Sequence, residues 1–453
     1  MSTNEKYEAV LGLEVHAQLL TKSKMFCGCP NNFGDKPNKN ICPVCSGQPG
    51  SLPVVNRRAV ELGIRAALAM NCEISEESVF ARKNYFYPDL PKGYQISQYE
   101  RPYSQKGSLL IRFKSGEEKR IGITRIHFEE DAGKSSHEAH GTRVNLNRAG
   151  VPLIEIVSEP DMRTALEAGQ YLRTLRSLLR YIDICDGNME EGNFRCDANV
   201  SVRLKGEKKF GTKIELKNIN SFRFVEKAID YEIDRQITVL ESGGKLTQQT
   251  RGWNSAKNIT EVMREKEEAH DYRYFPEPDL PPLVISRGWL QNITSRMPEL
   301  PIAASLRFKE QYQLSDYDAG VLTSSKELAR YYEEVEKSTG NSKASANWVM
   351  NELLGQLNAV GIEIKDSPVS APHLADLIRR IDSGEISGKI GKLVFDEMFL
   401  TKKAPQEIIK EKGLVILPLR KYEKLKEKIE KLEREKRLSS EETEVLRIIA
   451  EGE

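Results

Sequence analysis

Residues 151–159 read VPLIEIVSE, and how this stretch is read decides the fold. An aliphatic, β-branched run opened by a proline and followed by another is a strand signal. Glu155 stands in its middle with isoleucine on either side, and a carboxylate among apolar neighbours is costly unless a cation or a donor compensates it. The same texture recurs outward in both directions, in IGITRIHF (121–128), ANVSVRL with the overlapping VRLK (198–205) and TKIELKNI (212–219), with Gly, Pro and Asn between. Helical periodicity in this part of the chain is clear over 56–70, 165–181 and 222–242. The expectation is an α+β domain over residues 1–294, with a mixed or antiparallel sheet that carries the polar motifs.

Beyond residue 298 the strand signals fade. Segments 325–338, 343–360, 371–383 and 388–400 have apolar residues at helical spacing, bounded by Gly, Pro and Ser. Two proline-rich stretches, FPEPDLPP (275–282) and MPELP (297–301), suit rigid connections. An all-α domain is expected over 295–414. The remainder, 415–453, contains KYEKLKEKIEKLEREKRL, in which Tyr422, Leu425, Ile429 and Leu432 share one face of a long charged helix.

Bulk composition excludes little. Lys plus Arg is 68 against 67 for Asp plus Glu over 453 residues, so a polyanionic partner would have to be met by local patches. The N-terminus lacks a secretory pattern, and no run approaches the ~18 apolar residues of a membrane span, so a cytoplasmic, non-membrane protein is expected. Seven cysteines, an odd number, point away from a disulfide framework and toward thiols or a metal. Cys27-Gly-Cys29 and Cys42-Pro-Val-Cys45 are two close thiol pairs separated by a short polar loop. Four sulfurs so spaced suit one tetrahedral zinc ion, and with every position filled the site is structural. Cys72, Cys185 and Cys196 read as plain reduced thiols.

Glu14 and His16 alternate along LGLEVHAQL (11–19) and leave the same face of a strand. Further carboxylates stand on strand-like segments: Glu129, Glu130 and Asp131 in HFEEDAGKS, Glu155 and Glu159 beside them in sequence, and Asp197 in FRCDANVSV. Together they resemble a site for one hard cation such as Mg²⁺. DAGKS is not a phosphate loop, because Phe128 stands where the first glycine is required. A nucleotide would therefore be held by Mg²⁺ and by scattered Arg and Lys side chains, for which Arg148, Arg195, Lys217, Arg264 and Arg273 are candidates. Aromatic clusters at 83–99 and 271–282 can stack an unpaired nucleotide end or simply cap a sheet.

Taken in order, LGLEVHAQL, the two cysteine pairs, NYFYPDLPKGYQISQY, EEDAGKS, LNRAGVPLIEIVSEPD, RCDANVSVR, IELKNINSFRF and DYRYFPEPDLPPL resemble the B-subunit family of the bacterial tRNA-dependent amidotransferase, GatCAB. The resemblance runs from residue 7 to about 414. It implies a cradle-like catalytic domain related in its active-site plan to glutamine synthetase, with the zinc knuckle at 27–45, followed by a helical domain. It implies that ATP phosphorylates the side-chain carboxylate of Glu-tRNA(Gln) or Asp-tRNA(Asn), and that ammonia, released from glutamine by an amidase A subunit, attacks the acyl phosphate. A small C subunit completes the heterotrimer. Carried over position by position, Glu14, His16, Glu130, Glu155 and Asp197 hold Mg²⁺, Glu130 and Glu155 are catalytic, and Arg148, Arg195 and Lys217 contact the nucleotide or acyl phosphate. Past residue 414 the family's tail domain is replaced by a shorter charged segment. The competing readings are a ligase acting on a free amino acid and a non-catalytic zinc-bearing tRNA scaffold.

Overall fold

The computed structural model describes residues 6–113, 115–138, 140–265 and 272–414, so the charged tail over 415–453 lies outside the described residues. Two compact units divide between Leu300 and Pro301. The first is built on a nine-stranded mixed sheet. From one edge to the other its strands are Ile259–Glu265, Gln249–Asn254, Ile214–Lys217, Phe194–Leu204, Tyr7–Gln18, Pro152–Ser158, Glu118–Glu130, Ser104–Arg112 and Glu73–Ile74. Neighbours run antiparallel except Ile214–Lys217 and Gln249–Asn254, which are parallel.

Alternation along the central strands gives the sheet two unlike faces. Leu13, Val15, Ile126, Phe128, Ile154, Ile156, Cys196, Ala198, Ile214 and Leu216 are buried in one core. Helices α1 (Arg57–Ala69), α2 (Ala165–Tyr181) and α3 (Phe222–Glu241) contribute apolar residues to that core and pack on the strands. Each starts at a side-chain cap, Asn56, Thr164 and Ser221, which satisfies an otherwise orphaned N–H of the first turn. Helix α1 lies close to the sheet: a Cβ added at Gly63 would stand 2.2 Å from the Phe128 ring. That ring also stacks on Tyr103 at 4.0 Å, so the orientation of Phe128 is fixed from two sides.

The proline-rich segments hold more structure than their composition suggests. Phe275–Pro276 pairs with the Ala81–Asn84 strand. Helix α4 (Arg287–Ser295) belongs to the first unit and packs on α1. Pro301 is the first residue of a helix, Pro301–Tyr312, a position where a missing N–H costs nothing. In the second unit the expected helices appear as Lys326–Thr339, Ala371–Asp382 and Gly388–Thr401, joined by Asp316–Leu322 and Pro405–Lys412. The stretch read as one helix over 343–360 is instead Ser342–Asn347, a π-helical turn Trp348–Leu353, and Leu354–Val360. This wider turn lies where Trp348 meets the Phe395 ring edge-on. Among the described residues no helix is long and apolar enough to cross a membrane.

Candidate active site and thiolate cluster

The polar face of the sheet carries the chemistry. Strand register sets Arg195, His16, Glu155 and His127 side by side in one row, and pairs Glu14 with Asp197 beside it. These six residues line one cavity of about 930 Å³ together with Lys83, Glu129, Asp131, Arg148 and Lys217. Ligand atoms of His16, Glu129 and Glu155 all lie within 4.8 Å of one another. His16 Nε2 is 3.4 Å and His127 Nε2 3.1 Å from Glu155 Oε2. Glu129 accepts from Gln95 Nε2 at 2.8 Å and Ser97 Oγ at 3.1 Å, with Lys83 Nζ at 3.6 Å.

Both carboxylates are almost fully buried. Burial alone would push the Glu155 carboxyl up, but His127 and His16 outweigh it and hold it well below the usual carboxylate range. The same attraction works in reverse: burial opposes the charge on His16 and His127, yet Glu155 and Glu129 raise both imidazoles above their ordinary value. Nδ1 of His127 is buried without a hydrogen-bond partner. Two buried carboxylates and an imidazole converging on one point fit the donor set of a hard divalent cation.

The structure brings together most of the residues singled out from sequence, with one correction. Glu130 does not join the others. His127 and Glu129 alternate toward the cavity, so Phe128 and Glu130 point the opposite way. The Glu130 carboxylate is buried against Lys92 and accepts the Ile96 N–H at 2.9 Å. Its place beside His16 and Glu155 is taken by Glu129. Glu14 and Asp197 line the cavity outside the three-residue cluster, Glu14 accepting from Asn199 at 2.9 Å and Asp197 from Lys217 at 2.7 Å. Lys217 also lies 3.2 Å from Glu215. Arg195 is 3.0 Å and Arg148 3.6 Å from Asp131, and Arg148 donates to the Ala132 carbonyl at 2.9 Å. Glu159 is exposed at the far end of its strand, accepting from Thr124. Arg273 lines the cavity, and the Arg264 side chain lies outside what the structure describes. Sequence reasoning passed over His127, Lys83 and Glu215. The period-two pattern through Ile126 and Phe128 was the available signal for His127.

The second cluster lies on the loop after the first strand. Cys27, Cys29, Cys42 and Cys45 bring their sulfurs within 4.8 Å of one another, and all are free thiols. The Cys42 N–H donates to Cys45 Sγ at 3.2 Å. Lys24, fully buried, places Nζ 3.5 Å from the same sulfur and 2.6 Å from the Asn40 carbonyl. A hydrogen bond from Cys27 holds the Cys45 thiol well below the ordinary thiol range. Four sulfurs at this spacing fit a closed tetrahedral metal site. Cys72, Cys185 and Cys196 are buried elsewhere.

Comparison with known proteins follows the same division of the chain. A family model described as the GatB/GatE catalytic domain matches residues 9–291, and one described as the GatB domain matches 330–444, which reaches into the charged tail. The chain is 57% identical over 415 residues to a Carboxydothermus hydrogenoformans protein named as the B subunit of the aspartyl/glutamyl-tRNA(Asn/Gln) amidotransferase, covering 90% of this chain and 86% of that one. Proteins of the same name from Geobacter sulfurreducens and Bdellovibrio bacteriovorus are 56% and 54% identical over 414 and 409 residues, with the same coverage. The chain belongs to the family of B subunits of the aspartyl/glutamyl-tRNA(Asn/Gln) amidotransferase.

Proposed function

We propose that the charged cavity is where the side-chain carboxylate of a misacylated Glu-tRNA(Gln) or Asp-tRNA(Asn) is activated by ATP and amidated. A carboxylate oxygen takes the γ-phosphoryl group and ADP departs. Ammonia then attacks the acyl carbon, phosphate leaves, and the nitrogen loses a proton to give the amide. The observation that carries this reading is the pairing of the half-buried His16 and the buried Glu129 and Glu155 with a cationic rim of Lys83, Arg148, Arg195 and Lys217 around one cavity. Phosphoryl transfer of this kind needs positioning and charge stabilisation rather than a protein nucleophile. Among the described residues no serine, threonine or cysteine lines the cavity, which agrees with ammonia reaching it from glutamine hydrolysed on a separate amidase subunit.

His16, Glu129 and Glu155 would hold Mg²⁺, with Glu14 and Asp197 beside them, and the cation when bound neutralises phosphate charge. Arg195 and Arg148, braced by Asp131, and Lys217, braced by Asp197, keep their cationic heads at the cavity for the nucleotide and acyl phosphate. The four cysteines would hold a structural zinc. The small C subunit would complete a cytoplasmic heterotrimer with the amidase. A non-catalytic scaffold would have no use for two carboxylates buried with their charge intact, which is costly without a cation.

The assembled complex is expected to cleave ATP only when misacylated tRNA is present, measured as ADP release with and without the charged tRNA. Equal cleavage with free glutamate or aspartate would overturn the reading. A second expectation follows from the raised imidazoles. A protonated His16 cannot ligate a cation, so proton and Mg²⁺ compete, and affinity for the cation rises as pH climbs through the raised His16 value. The Mg²⁺ concentration giving half-maximal ATP cleavage should therefore fall as pH rises above the ordinary histidine value of about 6.5. A requirement that does not change with pH would remove His16 from the ligand set.

A further inference from the structure

We infer that Tyr99, Tyr274 and Arg273 form a platform at the cavity rim that receives an adenine ring. The inference rests on the reading of the cavity as the ATP- and tRNA-using site. Tyr99 and Tyr274 stack with centroids 4.3 Å apart and planes only 8° from parallel, and both line the cavity. One face of Tyr99 is covered by Tyr274, and 50% of the residue remains exposed. A flat ring can extend such a stack, and every nucleobase has a face that suits it. The pair is braced from behind. Tyr274 meets Tyr272 edge-on at 6.0 Å, and Tyr272 meets Tyr85 in the same way at 6.0 Å.

Arg273 supplies the second observation. Its φ is +46°, in the left-handed region that a residue with a Cβ rarely enters and that clusters at ligand-binding sites. Asn84 fixes it there: Nδ2 donates to the carbonyls of Arg273 at 2.8 Å and Tyr272 at 3.2 Å, and the Asn84 N–H donates to Tyr272 at 3.0 Å. The consequence is geometric. Extended backbone would turn alternate side chains away from each other, whereas here three consecutive residues, Tyr272, Arg273 and Tyr274, all line the cavity. A guanidinium is thereby set next to a stacking surface, the combination that suits a base with its phosphate. Both reactants of the proposed chemistry carry an adenine, one in ATP and one at the 3′ end of the tRNA.

The test is steady-state kinetics of the assembled complex carrying Tyr99→Ala or Tyr99→Phe, with KM for ATP and for misacylated tRNA measured separately. Tyr99→Ala should raise one of the two KM values by about 10-fold or more, with kcat at saturation within about twofold. Tyr99→Phe, which keeps the ring, should match the wild type. A rise confined to ATP assigns the nucleotide's base to the platform, and a rise confined to tRNA assigns the terminal adenosine. Both KM values unmoved by Tyr99→Ala, or Tyr99→Phe as damaging as Tyr99→Ala, would overturn the inference while leaving the proposed function standing. A wild-type complex that fails to couple ATP cleavage to misacylated tRNA would instead remove the proposed function.

Discussion

Glu129→Gln is expected to lower tRNA-dependent ATP cleavage by on the order of 100-fold or more, and Glu130→Gln to lower thermal stability with turnover kept within about tenfold. The two residues are neighbours in sequence and nearly equally buried, so the contrast depends only on which side of the sheet each faces. Glu129 stands within 4.8 Å of His16 and Glu155. Its amide isostere can still meet Gln95 and Ser97 but no longer supplies the negative charge that holds a cation there. Burial and the like charge of Glu155 oppose ionisation here, but Lys83 and His127 outweigh them and hold the Glu129 carboxyl down at about 2, so the variant gives up some stability as well and the loss of cleavage is what marks the cation site. Glu130 supports the fold from the opposite side of the sheet. Its carboxylate pairs with Lys92, whose side chain is only 8% exposed. Neutralising it leaves a buried ammonium without its counter-charge, a change that typically costs about 3–5 kcal/mol. Thermal unfolding and ADP release, measured on both variants, separate the two roles. Loss of cleavage by Glu130→Gln with unchanged melting would return that residue to the cation site.

The same pair of residues shows what the sequence could convey. The run from Ile121 to Phe128 announces a strand, and the strand is there, Glu118–Glu130. Which of two adjacent glutamates faces the ligand is a question of parity, and parity is fixed only once one residue is tied to the core. Phe128 supplies that tie through Gly63 and Tyr103, both distant in sequence. Helices α1, α2 and α3 were legible nearly to their ends because their periodicity begins at Asn56, Thr164 and Ser221, side chains that cap locally. Helix α4 and the helix from Pro301 were not, because proline clusters near them read as connections although proline at a helix start is favourable. His127 escaped notice for a related reason. A lone histidine in a hydrophobic strand carries no signal until register places it opposite Glu155.

Removing metal from the four-cysteine loop, by a zinc-selective chelator with Mg²⁺ held constant or by Cys45→Ser, should lower the melting temperature by several degrees, at about 2–4 °C per kcal/mol for units of this size. Strand pairing in the loop amounts, among the described residues, to one isolated bridge between Ser23 and Pro30, and its other ties are hydrogen bonds, such as those of Asn38 and Asn40 with Val144, Leu146 and Asn147. Phe33, Leu52 and Val54 are 73%, 66% and 72% exposed, so few apolar groups besides Met25 and Phe26 are buried nearby. A hydrogen bond to Cys45 raises the Cys27 thiol and burial raises the Cys29 thiol, so without an ion those two hold their protons and nothing bridges the four sulfurs. ATP cleavage should fall less than in Glu129→Gln, because the loop reaches the cavity only through intermediaries. Gly47 lies against Lys92, where an added Cβ would come 2.5 Å from Lys92 Cγ. Lys92 holds Glu130, and Gln95 donates to both the Glu130 carbonyl at 2.7 Å and the Glu129 carboxylate. Loosening the loop therefore releases a support of Glu129 rather than a ligand. Metal content, melting and ADP release measured on one preparation decide the matter. Four cysteines that react freely with a thiol reagent in the untreated protein, with melting indifferent to the chelator, would show that the cluster holds no ion and that packing alone supports the loop.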